Sequence, residues 1–230
     1  MKRTVLTTIA IVFWCLLPAF AQQEMETLRQ QANAGDPAAQ VKIGNMYAFG
    51  QGVVRNYREA VSWFRKAADQ GYADGEYRLG GMYDVGFGVA QDSSTAVKWY
   101  QLAAKQGLPD AEYRLGIMYD HGRGVPKNNI QAAKWYELAA TQGRPEAQFK
   151  IGEMYEEGRG VHQSYPEAKK WYLQAAQHNH PEAQFKLGKL FEQGLGVPQS
   201  TSEAIAWYQK SSALGDAMAD DALRALQTGH

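Results

Sequence analysis

The sequence predicts an all-α solenoid of five 36-residue helix–turn–helix repeats with a capping helix at each end. Three observations predict it. Trp63, Trp99, Trp135, Trp171 and Trp207 recur at a strict spacing of 36 residues, with no insertion anywhere. The residues around each tryptophan carry apolar side chains at helical period, not at the alternation of a strand. Every unit is also divided by the same short punctuation, G-x-G-V, as in Gly122-Arg123-Gly124-Val125.

The elements follow in chain order. Residues 1–21 read as a secretory signal peptide, with Lys2 and Arg3, an apolar run from Val5 to Leu17, and the small-residue ending Ala19-Phe20-Ala21. The run is shorter than the ~20 residues that span a bilayer, so no stable membrane span is expected after cleavage. Cys15, the single cysteine, lies inside this leader behind the bulky Trp14, which argues against lipidation. The mature chain then has no cysteine and no disulfide, even in an oxidising compartment. Removing Lys2 and Arg3 from 24 basic residues, with all 24 acids retained, leaves a mature charge of −2. With no basic tail and no net positive charge, the chain is not a nucleic-acid binder.

Residues 22–34 hold the register of a second helix without its tryptophan and are expected to cap the first repeat. The repeats are 35–70, 71–106, 107–142, 143–178 and 179–214. In the fourth, Ala147, Ile151, Met154 and Tyr155 stand at i, i+4, i+7, i+8 on the first helix. Pro145 suits the first turn of that helix. Ala168, Trp171, Tyr172, Ala175 and Ala176 form the corresponding stripe on the second. Neither helix can bury its stripe alone, so the units must stack. Residues 215–230 hold the register of a further first helix in which Arg224 replaces a glycine; they are expected to cap the far end. Ser211 and Ser212 replace earlier alanines there and make that end more polar.

Chemistry-like features dissolve when the copies are compared. A lone G-x-G beside Asp120 and His121 suggests phosphate binding, but five copies are better explained as five left-handed helix ends. A further glycine recurs inside every first helix: Gly44, Gly80, Gly116, Gly152 and Gly188. Each costs about 1 kcal/mol relative to alanine. The cost implies an approach too close for a Cβ, with the tryptophan-bearing stripe of the second helix as the expected partner. Asp84, Asp120, Glu156 and Glu192 form an acidic column, whereas His121 has no histidine equivalent. His121, His162, His178, His180 and His230 show no metal-ligand spacing, so no metal, cofactor or catalytic residue is assigned. His178-Asn179-His180 reads as a solvated turn between repeats. The basic column Lys42, Arg78, Arg114, Lys150 and Lys186 is expected to be neutralised by Asp74, Asp110, Glu146 and Glu182, four residues upstream of the last four.

The pattern A-x-x-x-[LI]-G-x-[ML]-[YF]-x-x-G-x-G-V-x(6)-A-x-x-W-[YF]-x-x-[AS]-[AS], from Gly35 to Leu214, resembles the Sel1-like repeat of exported bacterial proteins, a relative of the tetratricopeptide repeat. The resemblance implies a right-handed α-solenoid whose first helices line a concave face. It also implies a non-enzymatic adaptor, and exported relatives serve host contact, envelope regulation, polysaccharide export or toxin immunity. Cysteine-rich relatives associated with β-lactams carry paired cysteines that this chain lacks.

Specificity should then rest on positions that vary between repeats. Phe49, Val85, Phe87 and Ile117 are apolar where solvent is expected, with packing of Phe49 and Val85 on the next repeat as the alternative, and His121, Glu153 and Glu157 are polar neighbours in the same columns or in the acidic fourth unit. The favoured reading is a periplasmic or secreted scaffold binding a partner protein through these seven residues. Two alternatives stand: a glycan or peptidoglycan binder, which needs exposed Tyr and Trp, and a β-lactam- or cell-wall-acting enzyme, which needs a nucleophile–base pair.

Overall fold

The computed structural model describes residues 23 and 25–228. The predicted signal peptide, residues 1–21, and His230 lie outside the described residues. Helix α1 covers residues 25–33. First helices of the repeats are α2 (Pro37–Phe49), α4 (Ala73–Val85), α6 (Pro109–His121), α8 (Pro145–Glu157) and α10 (Pro181–Gln193). Second helices are α3 (Tyr57–Ala68), α5 (Ser93–Lys105), α7 (Asn129–Thr141), α9 (Tyr165–Gln177) and α11 (Thr201–Ala213), and α12 is Ala217–Thr228. No strand occurs among the described residues. The fold is an all-α repeat solenoid. It divides into two compact units, Met1–Asp92 and Ser93–His230, with the division in the loop between α4 and α5.

Local chemistry sets the helix ends. Proline occupies the first turn of α2, α6, α8 and α10, where its missing N–H costs nothing. Second helices start on side-chain caps: Asn128 accepts from the Gln131 N–H at 3.1 Å, and Ser200 from the Glu203 N–H at 3.3 Å. All five first helices end on a left-handed glycine, with Gly158 at φ 71° and its N–H donating to the Met154 carbonyl. The second glycine of the punctuation has an additional reason. A Cβ on Gly160 would sit on the Asn129 carbonyl at the start of α7, and one on Gly124 would sit on Ser93. The loop is thus pressed against the preceding repeat's second helix, and only glycine fits.

Packing between the two helices of a repeat turns on one ring, and that ring is not the indole. A Cβ on Gly152 would lie 2.6 Å from Cε1 of Tyr172, which is fully buried. Gly44, Gly116 and Gly188 face Phe64, Tyr136 and Tyr208 in the same way. The expected partner, the tryptophan-bearing stripe, is the one met, and within it the contact is made by the aromatic residue after Trp63, Trp135, Trp171 and Trp207. Trp171 is buried, but Trp63, Trp99, Trp135 and Trp207 are only half-buried. The indoles lie beside the contact rather than in it. Alanines of the second helices, among them Ala168, Ala175 and Ala176, complete the core with Leu79, Leu115, Ile151 and Leu187 of the first helices. Aliphatic and aromatic burial of this kind supplies the main driving force.

The ion pairing differs from the expected i, i+4 ladder. Arg78 does pair with Asp74, at 3.1 Å. Lys150 instead meets Glu153 at 2.8 Å, and Lys186 meets Glu156 of the preceding repeat at 3.0 Å. Asp110 and Glu146 both pair with Arg144, and Glu182 lies 3.1 Å from His180. Acids of one repeat are closer to bases of the next than the one-helix geometry suggests, because stacked first helices bring their flanks together. Ser211 likewise is not a polar solvent-facing residue: it is fully buried, 2.8 Å from the Pro181 carbonyl.

Candidate functional site

The variable positions singled out by sequence fall in both compact units. In the first, Phe49 at the end of α2 is 65% exposed, Val85 at the end of α4 is 54% exposed, and Phe87 in the following loop is 44% exposed. Phe87 stacks on Tyr57 with ring centroids 4.6 Å apart, and the Arg55 guanidinium lies 5.5 Å from the same tyrosine ring. Those contacts support one face of Phe87 while leaving the side chain accessible.

In the second unit the picture is more mixed. Ile117 is half-buried and packs against the core cluster that contains Tyr136 and Ile151. It is a packing residue more than a surface one. His121 is exposed on the last turn of α6. Glu153 is half-buried and tied to Lys150, and the exposed Glu157 pairs with Arg159. Arg159 also donates to Asp120 at 2.7 Å, and Glu156 accepts from Lys186 at 3.0 Å and from the Tyr172 hydroxyl at 2.5 Å. The acidic fourth unit is therefore a charge-compensated network, not a bare negative surface.

That network explains the acidic column. Glu156 and Glu192 accept from the hydroxyls of Tyr172 and Tyr208, at 2.5 Å each. Burial first, then the neighbouring carboxylate, pushes both phenol pKa values well above the ordinary value. The phenols stay protonated donors, and the carboxylates serve structure.

His180 is not simply solvated. Its ring stacks on Phe149 at 4.7 Å, and its Nδ1 caps the Ala183 N–H of α10 at 3.4 Å. Glu182 at 3.1 Å draws its pKa upward, but burial draws it down and wins, because that carboxylate is half in water. Among the described residues no cluster of three His, Cys, Asp or Glu is arranged to hold a metal. No described helix is long and apolar enough to cross a membrane.

Sequence reasoning missed one further column: Gln40, Glu76, Glu112, Gln148 and Gln184, all buried in first helices. Gln40, Gln148 and Gln184 each donate their Nε2 to the preceding second helix, at the carbonyls of Ala32, Ala140 and Ala176. A polar residue among apolar ones at helical period is the signal that could have found them.

An array of near-identical helix pairs, whose shared residues are consumed by packing, defines the molecule as a repeat scaffold. Comparison with known proteins agrees. The Sel1 repeat family model matches residues 37–72, 73–108, 109–143, 145–180 and 181–216, and the chain belongs to the Sel1 repeat family. Among solved structures it is similar to a protective antigen of uropathogenic Escherichia coli strains displaying an SLR fold, with 40% identity and a TM-score of 0.85 over 86% of this chain and 43% of that one. A Sel1 repeat protein from Oxalobacter formigenes is 36% identical with a TM-score of 0.80, covering 86% of this chain and 81% of that chain. A curated relative, the secretory immunoglobulin A-binding protein EsiB of Escherichia coli O6:H1, is 39% identical over 69 residues, which is 29% of this chain and 14% of EsiB. The chain thus spans less than half the length of the antigen structure and a small part of EsiB.

Proposed function

We propose that this chain is a non-enzymatic scaffold of the bacterial periplasm or secreted space that holds a partner protein on its variable first-helix and loop positions. The single observation that carries the reading is the exposure of Phe49, Val85 and Phe87 in one compact unit. A fold that buries its shared aromatics leaves these side chains in water, and exposed apolar clusters of this kind mark interaction sites. The relative whose name records binding of an immunoglobulin supports a partner that is itself a protein. The glycan alternative needs exposed tyrosines and tryptophans, whereas Tyr100, Tyr136, Tyr172 and Tyr208 are fully buried and Trp63, Trp99, Trp135 and Trp207 are half-buried.

Crosslinking in the intact cell envelope, followed by identification of the captured proteins, tests the reading. Wild-type chain should capture a defined partner, and Phe49→Ala with Val85→Ala should lose it while circular dichroism stays unchanged. Undiminished capture by the double variant overturns the assignment of this surface. Ile117 is not a useful probe, because its truncation in the core should cost about 1–2 kcal/mol of stability on its own.

A further inference from the structure

Apolar residues at the variable ends of the first helices are confined to one compact unit. Phe49 and Val85 are the last residues of α2 and α4, which lie against each other. The same position holds His121, Glu157 and Gln193 in the later repeats. The loops of this unit extend the patch. Val54 is 89% exposed, and Phe87 keeps an open face beside Tyr57. A Cβ on Gly50 would lie 3.4 Å from that of Arg55, so the arginine stands next to Phe49.

Cations border this patch, and nothing in the unit neutralises them. Arg55 is exposed, lies over the Tyr57 ring and pairs with no carboxylate among the described residues. Lys42 is exposed on the same face of α2, two turns or about 10 Å before Phe49. Later members of its column are compensated: Arg78 by Asp74, Lys150 by Glu153 and Lys186 by Glu156. Ala38 and Asn45 stand where Asp74 and Glu153 stand, and Lys42 pairs with no carboxylate among the described residues. Asp84, next to Val85, is buried, and the exposed Arg58 and Glu59 of α3 cancel in formal charge. The patch is therefore apolar with a positive edge.

We infer that this face of the first two repeats takes an acidic, apolar segment of a partner protein. Leucine or phenylalanine side chains of the segment lie among Phe49, Val85 and Phe87, and its carboxylates meet Lys42 and Arg55. This names the partner's chemistry and rests on the partner-protein reading of the same surface. The acidic fourth repeat of a second copy does not supply the carboxylates, because Lys150, Arg159 and Lys186 already engage them.

The test titrates the full chain with labelled dodecapeptides in which Glu and Asp alternate with Leu and Phe at varied spacing, read by fluorescence anisotropy. The acidic peptides should bind, and their Gln and Asn counterparts should bind about tenfold more weakly. Lys42→Glu with Arg55→Glu should cause a similar loss at unchanged circular dichroism. A tenfold rise in salt should weaken wild type more than Lys42→Gln with Arg55→Gln. No binding at millimolar acidic peptide, equal binding of peptides with Lys in place of the acids, or tighter binding to phosphatidylglycerol vesicles overturns the inference. Envelope crosslinking separates this inference from the reading beneath it. Capture lost in Phe49→Ala with Val85→Ala but kept in Lys42→Glu with Arg55→Glu overturns the acidic segment alone. Capture that survives the first pair overturns the surface itself.

Discussion

In the third, fourth and fifth repeats a glycine and a tyrosine fix the distance between the two helices. At Gly152 two effects oppose one another. Alanine would gain about 1 kcal/mol of helix propensity, whereas its Cβ would overlap the Tyr172 ring at 2.6 Å. The ring is fully buried and its hydroxyl is anchored on Glu156, so it has little room to retreat. Overpacking of this kind costs about 1–3 kcal/mol, and the steric loss prevails. Gly152→Leu should therefore lower the melting temperature by several degrees, at about 2–4 °C per kcal/mol for a chain of this size. Thermal scans of Gly152→Leu alone and with Tyr172→Ala test the contact. The second loss should be less than additive, and full additivity would show that the two side chains do not meet.

Helix α10 carries the element-scale prediction. His180 caps it from a half-buried position, and burial holds the imidazole pKa below its ordinary 6.5 despite the Glu182 carboxylate. Glu146, Glu153 and Lys150 are the other charged groups that act on it. With the folded pKa depressed, the unfolded chain binds more protons between the two values, so stability rises with pH there. The contribution is fully present above pH 6.5 and is lost as pH falls toward the folded value. Denaturant midpoints measured through this window should fall on acidification in wild type. His180→Asn keeps a capping side chain and should flatten that limb; an unchanged slope would place the titrating group elsewhere.

Within each compact unit, helices contact their sequence neighbours, and in a repeat array stability approximates a sum of local terms. Core damage should therefore stay local. Gly188→Leu drives a side chain into Tyr208, and it should reduce amide-exchange protection in α10, α11 and α12. Protection in α2, α3 and α4, which belong to the other compact unit, should be retained. Uniform loss along the chain would mean that the array unfolds as one cooperative block.

Much of this was legible in the sequence because the repeat supplies its own internal comparison. A period of 36 residues, a proline at the helix start and paired glycines after it each report a backbone requirement. Backbone requirements act over a few residues, so helix pairs, helix ends and the structural nature of the G-x-G turns follow from the chain alone. Exposure of Phe49 and Val85 was not readable, since the spacing allowed them equally to pack on the next repeat; the structure leaves both in water. What only the tertiary structure decided is which neighbour each side chain meets. It put Tyr172 rather than Trp171 against Gly152, Glu156 on Lys186, and Ile117 against the core. Adjacent side chains on a helix differ by about 100° in direction, so a stripe read from spacing names a face and not a contact. Contacts thirty residues apart depend on how closely the helices stack, and the close packing of side chains determines that distance.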